Sequence, residues 1–252
     1  MKVQKLHAWD VTPAEARRIQ VELRGRVELQ DRFATETLRN REKRKSKIEN
    51  RKAVQRVAGA DVAFDFRAGG TSQGRAIAGV IVYSFPEMQE IERGWAERPL
   101  EFPYVPGLLS FRELPALLAA FAKLHETPDV IFCDAQGYAH PRRFGLACHL
   151  GVLLNCAAVG CAKSRLIGEY QEPGRAAGSW SALKDAGETI GAALRTRAGV
   201  QPIFISQGHR VSLASAIKLV LAVCDGFRIP RPTREADHFV EEMKRRGTQT
   251  RR

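Results

Sequence analysis

The sequence lacks the features that mark membrane-spanning proteins and disulfide-bonded secreted proteins. No hydrophobic run approaches the roughly 20 residues of a spanning helix, and the N-terminus has no apolar signal-peptide segment. The five cysteines are odd in number, contain no C-x-x-C pair and lie in apolar contexts, which is typical of reduced, buried thiols. We therefore expect a soluble, cytoplasmic protein whose cysteines are small core residues.

Acidic residues are too few to balance the basic ones. The chain of 252 residues has 40 Lys and Arg against 28 Asp and Glu, which gives a formal net charge of +12. This excess predicts an anionic partner, with nucleic acid as the first choice and an acidic membrane surface as the second. The densest basic stretch, residues 39–56, is interpreted either as a solvated helix face or as a segment that follows a phosphate backbone.

Internal repeats and long low-complexity segments are also absent, and the hydrophobic patterns predict a mixed α/β protein. Thr12 and Glu15 form a capping box, so a helix should begin there. Three β-rich runs, at residues 57–66, 74–85 and 88–98, predict a meander of antiparallel strands.

The second half of the chain alternates between helical and strand patterns. Pro115 belongs in the first turn of a helix, so we expect its helix to begin later than Ser110. Thr233 is the expected N-cap of the last helix. The predicted elements are helices at 114–124, 144–154 and 213–223, strands at 130–133, 157–165, 190–197 and 202–206, and a loop at 170–181. The predicted organisation is one structural domain, with an N-terminal helical and basic segment (1–56) packed on a core (57–246) and a flexible basic tail (247–252).

One strand end is followed closely by several charged residues. The run 130–133 stops at Asp134, and His140, Arg142 and Arg143 follow within one turn and the start of a helix. An α/β fold can place a metal-binding carboxylate beside phosphate-binding cations in this way. An aspartate at a strand end is also a frequent turn former or cap, so the residues alone leave both interpretations open.

Three further carboxylates have both a functional and a structural interpretation. Asp61 lies among small and apolar residues, where it needs a partner such as a metal ion unless its strand is a solvent-exposed edge. Glu113 completes a capping box with Ser110, and Asp237 lies about one turn into the last helix, where the helix dipole favours a carboxylate. If these groups converge with Asp134, they can bind Mg²⁺ and support phosphodiester hydrolysis. The cations expected around the scissile phosphate are Lys163, His140, His209 and Arg142.

Six segments occur together in a recognisable order. They are Gly59-Ala-Asp-Val-Ala-Phe64, Pro103-Tyr-Val-Pro-Gly-Leu-Leu-Ser-Phe-Arg-Glu113, Asp134-Ala-Gln-Gly-Tyr-Ala-His-Pro-Arg-Arg143, Gly160-Cys-Ala-Lys163, Gly208-His209 and Pro232-Thr-Arg-Glu-Ala-Asp237. With these motifs in order between residues 8 and 244, the chain resembles the endonuclease V family of deoxyinosine-directed repair nucleases.

The resemblance implies an α/β protein with a ribonuclease H-like mixed β-sheet flanked by helices. It implies a DNA repair endonuclease that hydrolyses the second phosphodiester 3′ of deoxyinosine, leaves 3′-hydroxyl and 5′-phosphate ends, and depends on Mg²⁺, for which Mn²⁺ can substitute. Asp61 and Asp134 would be the main metal ligands, Glu113 would bind the metal or its water, and Asp237 matches a position where the family carries Asp or His. The expected catalytic residues are Asp61, Glu113, Asp134, His140, Lys163 and Asp237.

The resemblance also implies contacts with the substrate. Tyr104 matches the side chain that fills the gap left by the displaced base, and His140 and Lys163 would lie near the cleaved strand. Residues 107–109 and the backbone of residues 160–162 would wall the hypoxanthine pocket, where backbone donors and acceptors can favour hypoxanthine over adenine. The expected DNA-binding residues are Tyr104, Pro106, Gly107, Leu109, Arg112, Arg142, Gly160, Ala162 and His209.

Two features depart from the family pattern, and two other functions remain open. The usual Asp-Gly-His-Gly is Asp134-Ala-Gln-Gly137 here, so Gln136 stands in place of an imidazole. The basic stretch 39–56 is longer than the family's linker, and we expect it to add sequence-independent phosphate contacts. The alternatives are cleavage at inosine in RNA, and a catalytically silent nucleic-acid-binding protein on the same fold. We expect no membrane association, and a monomer is the default.

Overall fold

The computed structural model describes residues 1–33, 53–66 and 74–249, and in them the chain forms an eight-stranded mixed β-sheet. Most of the basic stretch 39–56 lies outside the described residues. The strands are β1 (Arg56–Asp65), β2 (Arg75–Ser84), β3 (Glu90–Pro99), β4 (Val130–Cys133), β5 (Ala157–Ala162), β6 (Trp180–Asp185), β7 (Glu188–Leu194) and β8 (Ile203–His209). The helices are α1 (Pro13–Leu23), α2 (Leu109–Phe121), α3 (Leu146–Leu154), α4 (Leu213–Ala222) and α5 (Arg231–Gln249), and a short 3₁₀ turn (Arg24–Arg26) follows α1.

The strands lie in the order β3-β2-β1-β4-β5-β8-β7-β6. The first three form the predicted antiparallel meander, β1, β4 and β5 run parallel, and β8, β7 and β6 return antiparallel. Strand β6 was not predicted. It is a half-exposed edge strand with a register irregularity, so its apolar residues alternate only weakly. The turn Ala186–Gly187, which joins it to β7, has two positive φ angles.

Helices cover both faces of the sheet, and alternation along β4 shows how. Val130 and Phe132 pack in the cluster that α4 and α5 cover, whereas Ile131 and Cys133 pack in the cluster beneath α2 and α3. The central strand is therefore buried on both sides, as its continuous apolar run predicts. None of the described helices is both long enough and apolar enough to cross a bilayer, and the five cysteines are free.

Helix α1 forms an outer layer on the side of α2 and α3. Thr12 and Glu15 make the predicted capping box. Ala16 packs beside Phe111, and Leu23 packs with Phe144 and Cys148. These contacts fasten the N-terminal segment to the core.

Helix α2 begins earlier than predicted. Its first residue is Leu109, and Pro115 lies inside the helix rather than in its first turn. Ser110 is not the cap, because it is 1% exposed and its hydroxyl bonds His149 Nδ1 at 3.1 Å. Burial of the apolar face of α2 outweighs the backbone hydrogen bond that proline cannot donate. Glu113 is therefore not a capping residue.

Helix α5 also differs from its prediction at both ends. It begins at Arg231, so Thr233 is inside the helix, where it is buried and donates its hydroxyl to the Pro230 carbonyl at 3.0 Å. Asp237 consequently lies in the second turn. The helix continues to Gln249, past the tail boundary expected at Gly247, and residues 250–252 lie outside the described part of the chain.

Candidate active site

Strand register brings two of the predicted carboxylates together. Ala60 on β1 pairs in parallel with Cys133 on β4, so Asp61 and Asp134 are the next residues on adjacent strands. Strand β4 ends at Cys133, and the Asp134 side chain is 11% exposed. The prediction that Asp134 follows a buried strand is confirmed, and Asp61 lies in the middle of the sheet rather than on a solvent-exposed edge.

Glycines let α5 approach the sheet closely enough to bring Asp237 to the same place. A Cβ atom at Gly59 would lie 1.9 Å from the Pro232 carbonyl oxygen, and one at Gly79 would lie 2.7 Å from a methyl group of Val240. Only glycine permits this separation between helix and strand. The charge of Asp237 accordingly acts on both aspartates of the strand pair.

The four carboxylates Asp61, Glu113, Asp134 and Asp237 form what we call the acidic cluster. Burial, and then the charge of Asp134, raises the pKa of Asp61 to about 8. Burial, and then Asp61 and Asp134, raises the pKa of Glu113 well above its usual value. Burial also raises the pKa of Asp134, although Lys163 opposes this shift. Repulsion within the acidic cluster thus favours binding of a cation.

Lys163 follows β5 and supplies positive charge to the acidic cluster. Its Nζ lies 2.5 Å from Asp134 Oδ2, and its side chain is 47% exposed. Burial lowers the pKa of Lys163, but the hydrogen bond and charge of Asp134 more than offset this, so the net shift is upward. Arg228 donates to the Lys163 carbonyl at 2.8 Å, a contact that the sequence did not indicate because the two residues are far apart in the chain.

The chemistry of the acidic cluster fits a divalent cation. Carboxylate oxygens are the ligands that Mg²⁺ prefers, and a cation would relieve the repulsion that raises these pKa values. Within residues 1–33, 53–66 and 74–249, no three carboxylate, imidazole or thiol groups already cluster tightly enough to hold a metal. Asp134 is ion-paired with Lys163 instead. The donors are therefore suitable in kind, but they are not prearranged around one point.

His140 is close to the predicted site, yet it does not supply positive charge. It is 3% exposed, its Nε2 lies 3.0 Å from the Gly107 carbonyl oxygen, and its Nδ1 accepts the Arg142 backbone N–H at 3.2 Å. These partners assign the proton of the neutral ring to Nε2. Burial, and then the charge of Arg142, lowers the pKa of His140 to about 4. These contacts of His140 fit a neutral ring rather than the expected cation, and its role near the cleaved strand stays a prediction.

His209 is also neutral and lies beneath the N-terminal segment. It is 3% exposed, and its Nδ1 accepts the Glu28 backbone N–H at 3.2 Å. Burial, and then Arg210, lowers the pKa of His209 to about 4. The His209 side chain is therefore packed inside the protein, and its expected contact with DNA phosphate stays a prediction.

The loop before α2 presents the predicted wedge residue. Tyr104 is 72% exposed, and Pro106 is also exposed. Gly107 has a φ of +77°, and its carbonyl oxygen accepts from Arg142 Nη2 at 2.7 Å. Arg112 donates to the Phe102 carbonyl at 2.9 Å, and Leu109 begins α2. Arg142 and Arg112 therefore bind backbone at the two ends of this loop.

The strand end at β5 comes very close to the loop that follows Asp134. A Cβ atom at Gly160 would lie 2.6 Å from the Ala135 carbonyl oxygen and from the Gly137 nitrogen, and Ala162 is 6% exposed. Gln136 donates its Nε2 to the Ser164 carbonyl at 2.8 Å, so it links these segments. Its buried Oε1 has no hydrogen-bond partner among the described residues.

Comparisons with known proteins agree with these observations. A family model for Endonuclease V matches residues 36–238. Endonuclease V of Nostoc sp. is 47% identical over 237 residues, which cover 94% of this chain and 97% of that protein. The crystal structure of endonuclease V from Bacillus subtilis has a TM-score of 0.86 at 27% identity and covers 99% of this chain and 100% of that one. The expected mixed β-sheet flanked by helices is thereby confirmed.

A third relative has been seen with nucleic acid. The crystal structure of endonuclease V from Ciona intestinalis has a TM-score of 0.72 at 25% identity and covers 92% of this chain and 97% of that one. It is a complex with a 24mer DNA that contains an inosine followed by a ribo-adenosine. The chain belongs to the endonuclease V family and is a metal-dependent nuclease.

Proposed function

We propose that the protein is a DNA repair endonuclease that recognises deoxyinosine and hydrolyses the second phosphodiester bond 3′ of it. The products would carry a 3′-hydroxyl and a 5′-phosphate. The observation that carries the proposal is the half-buried acidic cluster with Lys163 ion-paired to Asp134 at its edge. The relative from Ciona intestinalis was crystallised with inosine-containing DNA, which supports the choice of lesion.

The acidic cluster would hold Mg²⁺, with Mn²⁺ as a substitute. Asp61 and Asp134 would be the main ligands, Glu113 would bind the ion or its water, and Asp237 would add negative charge. The bound cation supplies Lewis-acid polarisation and neutralises charge that develops on the phosphate. Lys163 keeps its proton at neutral pH because its pKa is raised, and its half-exposed ammonium can contact a phosphate oxygen.

Recognition of the base would rely on the loop around Tyr104. This tyrosine is the most exposed large side chain of the site and would fill the gap left by a displaced base. The backbone of residues 107–109 and of residues 160–162 would face the displaced hypoxanthine, whose N1–H and O6 differ from the edge that adenine presents. Neutral His140 would hold Gly107 in position rather than contact phosphate.

The direct test uses a duplex with a single deoxyinosine and Mg²⁺, with wild type, Asp134→Asn and Asp225→Asn compared. We expect wild type to nick the second bond 3′ of inosine and Asp134→Asn to be slower by at least about 100-fold, since several kcal/mol of barrier lowering depends on the cluster. Asp225 lies in the loop before α5 and pairs with Arg234 of that helix. Asp225→Asn therefore controls for loss of a surface carboxylate. An intact duplex with wild type, or full activity in Asp134→Asn, contradicts the proposal.

Cleavage at inosine in RNA is the second candidate. The DNA bound by the Ciona intestinalis relative has a ribonucleotide directly after the inosine, and this favours tolerance of a 2′-hydroxyl at that position in the family. Two strands of the same sequence, one all-DNA with deoxyinosine and one all-RNA with inosine, would separate the candidates. A kcat/KM that is higher for the all-RNA strand would make RNA the preferred substrate.

A further inference from the structure

One carbonyl oxygen in the loop before α2 accepts three side-chain donors from distant parts of the chain. Gly107 O lies 3.1 Å from Gln20 Nε2 of α1, 3.0 Å from His140 Nε2 and 2.7 Å from Arg142 Nη2. We call Gln20, His140 and Arg142, with the oxygen that they share, the Gly107 clamp. A carbonyl oxygen has two lone pairs, so three donors restrict its position unusually well.

Gln20 is the member of the Gly107 clamp that no sequence motif indicated. It is 1% exposed and lies on the buried stripe of α1, between Ala16 and Leu23, where an apolar residue is expected. Its Nε2 also donates to the Phe144 carbonyl at 3.2 Å, and its Oε1 accepts from Arg142 Nε at 2.5 Å. The opposite amide orientation would set Oε1 against two carbonyl oxygens, so the three partners fix the orientation.

The Gly107 clamp adds hydrogen bonds to a loop that is otherwise held by apolar packing of Leu108 and Val105. Tyr104 is 72% exposed, and the Leu108 N–H closes a turn on the Val105 carbonyl at 2.9 Å. Gly107 has a φ of +77°, and a Cβ atom there would lie 2.8 Å from Arg142 Nη2. The backbone at Gly107 is therefore packed directly against the donors that hold it.

We propose that Gln20 is a positioning residue for base recognition, which acts by holding Gly107 and thereby the loop that presents Tyr104. The inference rests on the proposed role of this loop in recognising deoxyinosine. Gln20 fixes Gly107 directly, and it also orients Arg142, which donates to the same oxygen. Without Gln20 the loop samples more conformations, and binding the displaced base has to restrict them again.

The first test measures the loop without any substrate. Amide hydrogen exchange of residues 104–108 should be faster by about tenfold in Gln20→Met, which keeps the side-chain length but cannot hydrogen bond. Gln20→Glu, which keeps an acceptor for Arg142 but loses both donors, should behave in the same way. Leu23→Ala on the same helix is the matched control, because it removes apolar packing with Phe144 and leaves the Gly107 clamp intact. Unchanged exchange in both Gln20 variants would overturn the proposal.

The second test uses cleavage of the deoxyinosine duplex. Gln20→Met should raise KM by about tenfold and change kcat by less than about threefold, while Leu23→Ala lowers Tm and leaves the ratio of kcat to KM near that of wild type. In a Tyr104→Ala background the same Gln20→Met change should raise KM by less than about twofold, because the loop has already lost its wedge. Effects of the two substitutions that multiply independently would overturn the proposal.

The two tests separate failure of this inference from failure of the proposed function. Absence of inosine-directed cleavage by wild type would refute the proposed function, whereas the exchange comparison needs no substrate and still decides whether Gln20 holds the loop.

Discussion

Replacing Asp61 with asparagine is predicted to stabilise the protein when no divalent cation is present. Burial, and then the charge of Asp134, raises the pKa of Asp61 from 3.8 to about 8. A carboxyl group with a higher pKa in the folded state binds its proton more tightly there, so its contribution to stability is fully present below about pH 3.8. This contribution is lost as the pH rises from 3.8 to about 8.

The magnitude follows from the interval between the two pKa values. Each pH unit above 3.8 reduces stability by about 1.4 kcal/mol, so the reduction at pH 7 is about 4 kcal/mol at most. Part of it is repulsion shared with Asp134, and the asparagine amide must still be buried beside the Val62 N–H. We therefore expect Asp61→Asn to raise the free energy of unfolding by about 2 kcal/mol at pH 7, and by less at pH 5.

The assay is urea unfolding in EDTA at pH 5 and pH 7, followed by tryptophan fluorescence. Asp225→Asn is the matched control, because its hydrogen bond with Arg234 lowers the pKa of Asp225 and its removal should give no stabilisation. In excess Mg²⁺ the wild type should gain stability by mass action, and Asp61→Asn should gain less because a ligand is missing.

Two outcomes would refute this reasoning. One is an Asp61→Asn protein that is less stable than wild type in EDTA at pH 7. The other is a stability difference that does not grow between pH 5 and pH 7, because ionisation of Asp61 would then not be its cause. Either result would mean that the charged Asp61 carboxylate does not destabilise the folded protein.

Three further predictions concern other parts of the site. Gly59→Ala should reduce the free energy of unfolding by about 3 kcal/mol and abolish cleavage, because the new Cβ would lie 1.9 Å from the Pro232 carbonyl oxygen. Urea unfolding measures the first effect, and a nicking assay measures the second. Lys163→Met should lower kcat by about 100-fold with little change in Tm, measured by single-turnover cleavage. Charge reversal within the basic stretch 39–56 should make binding to duplex DNA less dependent on salt, with the slope of log K against log salt falling by about 0.9 per lost phosphate contact.

Most of the correct predictions about the acidic cluster came from the sequence motifs. Asp134 at the end of the apolar run 130–133 and Asp61 in the preceding β-rich run both lie where the sequence indicated. The parallel pairing of Ala60 with Cys133, which makes the two carboxylates neighbours, depends on contacts between segments about 70 residues apart. No local pattern encodes such a register, so the resemblance rather than the spacing predicted that they meet.

Predictions based on local sequence rules differ from the structure at positions where burial determines the start of a helix or the charge of a side chain. Pro115 was expected at the start of a helix, but the apolar face of α2 continues through it to Leu109. His140 and His209 were expected to be cations, and burial instead lowers the pKa of each to about 4. Gln20 was overlooked because its partners are 87 and more residues away, although a polar residue on the buried stripe of α1 is a signal that could have been used.

Two stretches of chain each carry residues proposed for base recognition together with a carboxylate proposed to bind the cation. Residues 104–113 carry Tyr104 at one end and Glu113 at the other, with the first turn of α2 between Gly107 and Glu113. Residues 134–142 likewise carry Asp134 at one end and two donors of the Gly107 clamp at the other. Gly107 lies before the first residue of α2, so it can move while the helix that carries Glu113 stays packed on the sheet. The Gly107 clamp would therefore act on binding of the base more than on the acidic cluster, which is why Gln20→Met is expected to change KM more than kcat.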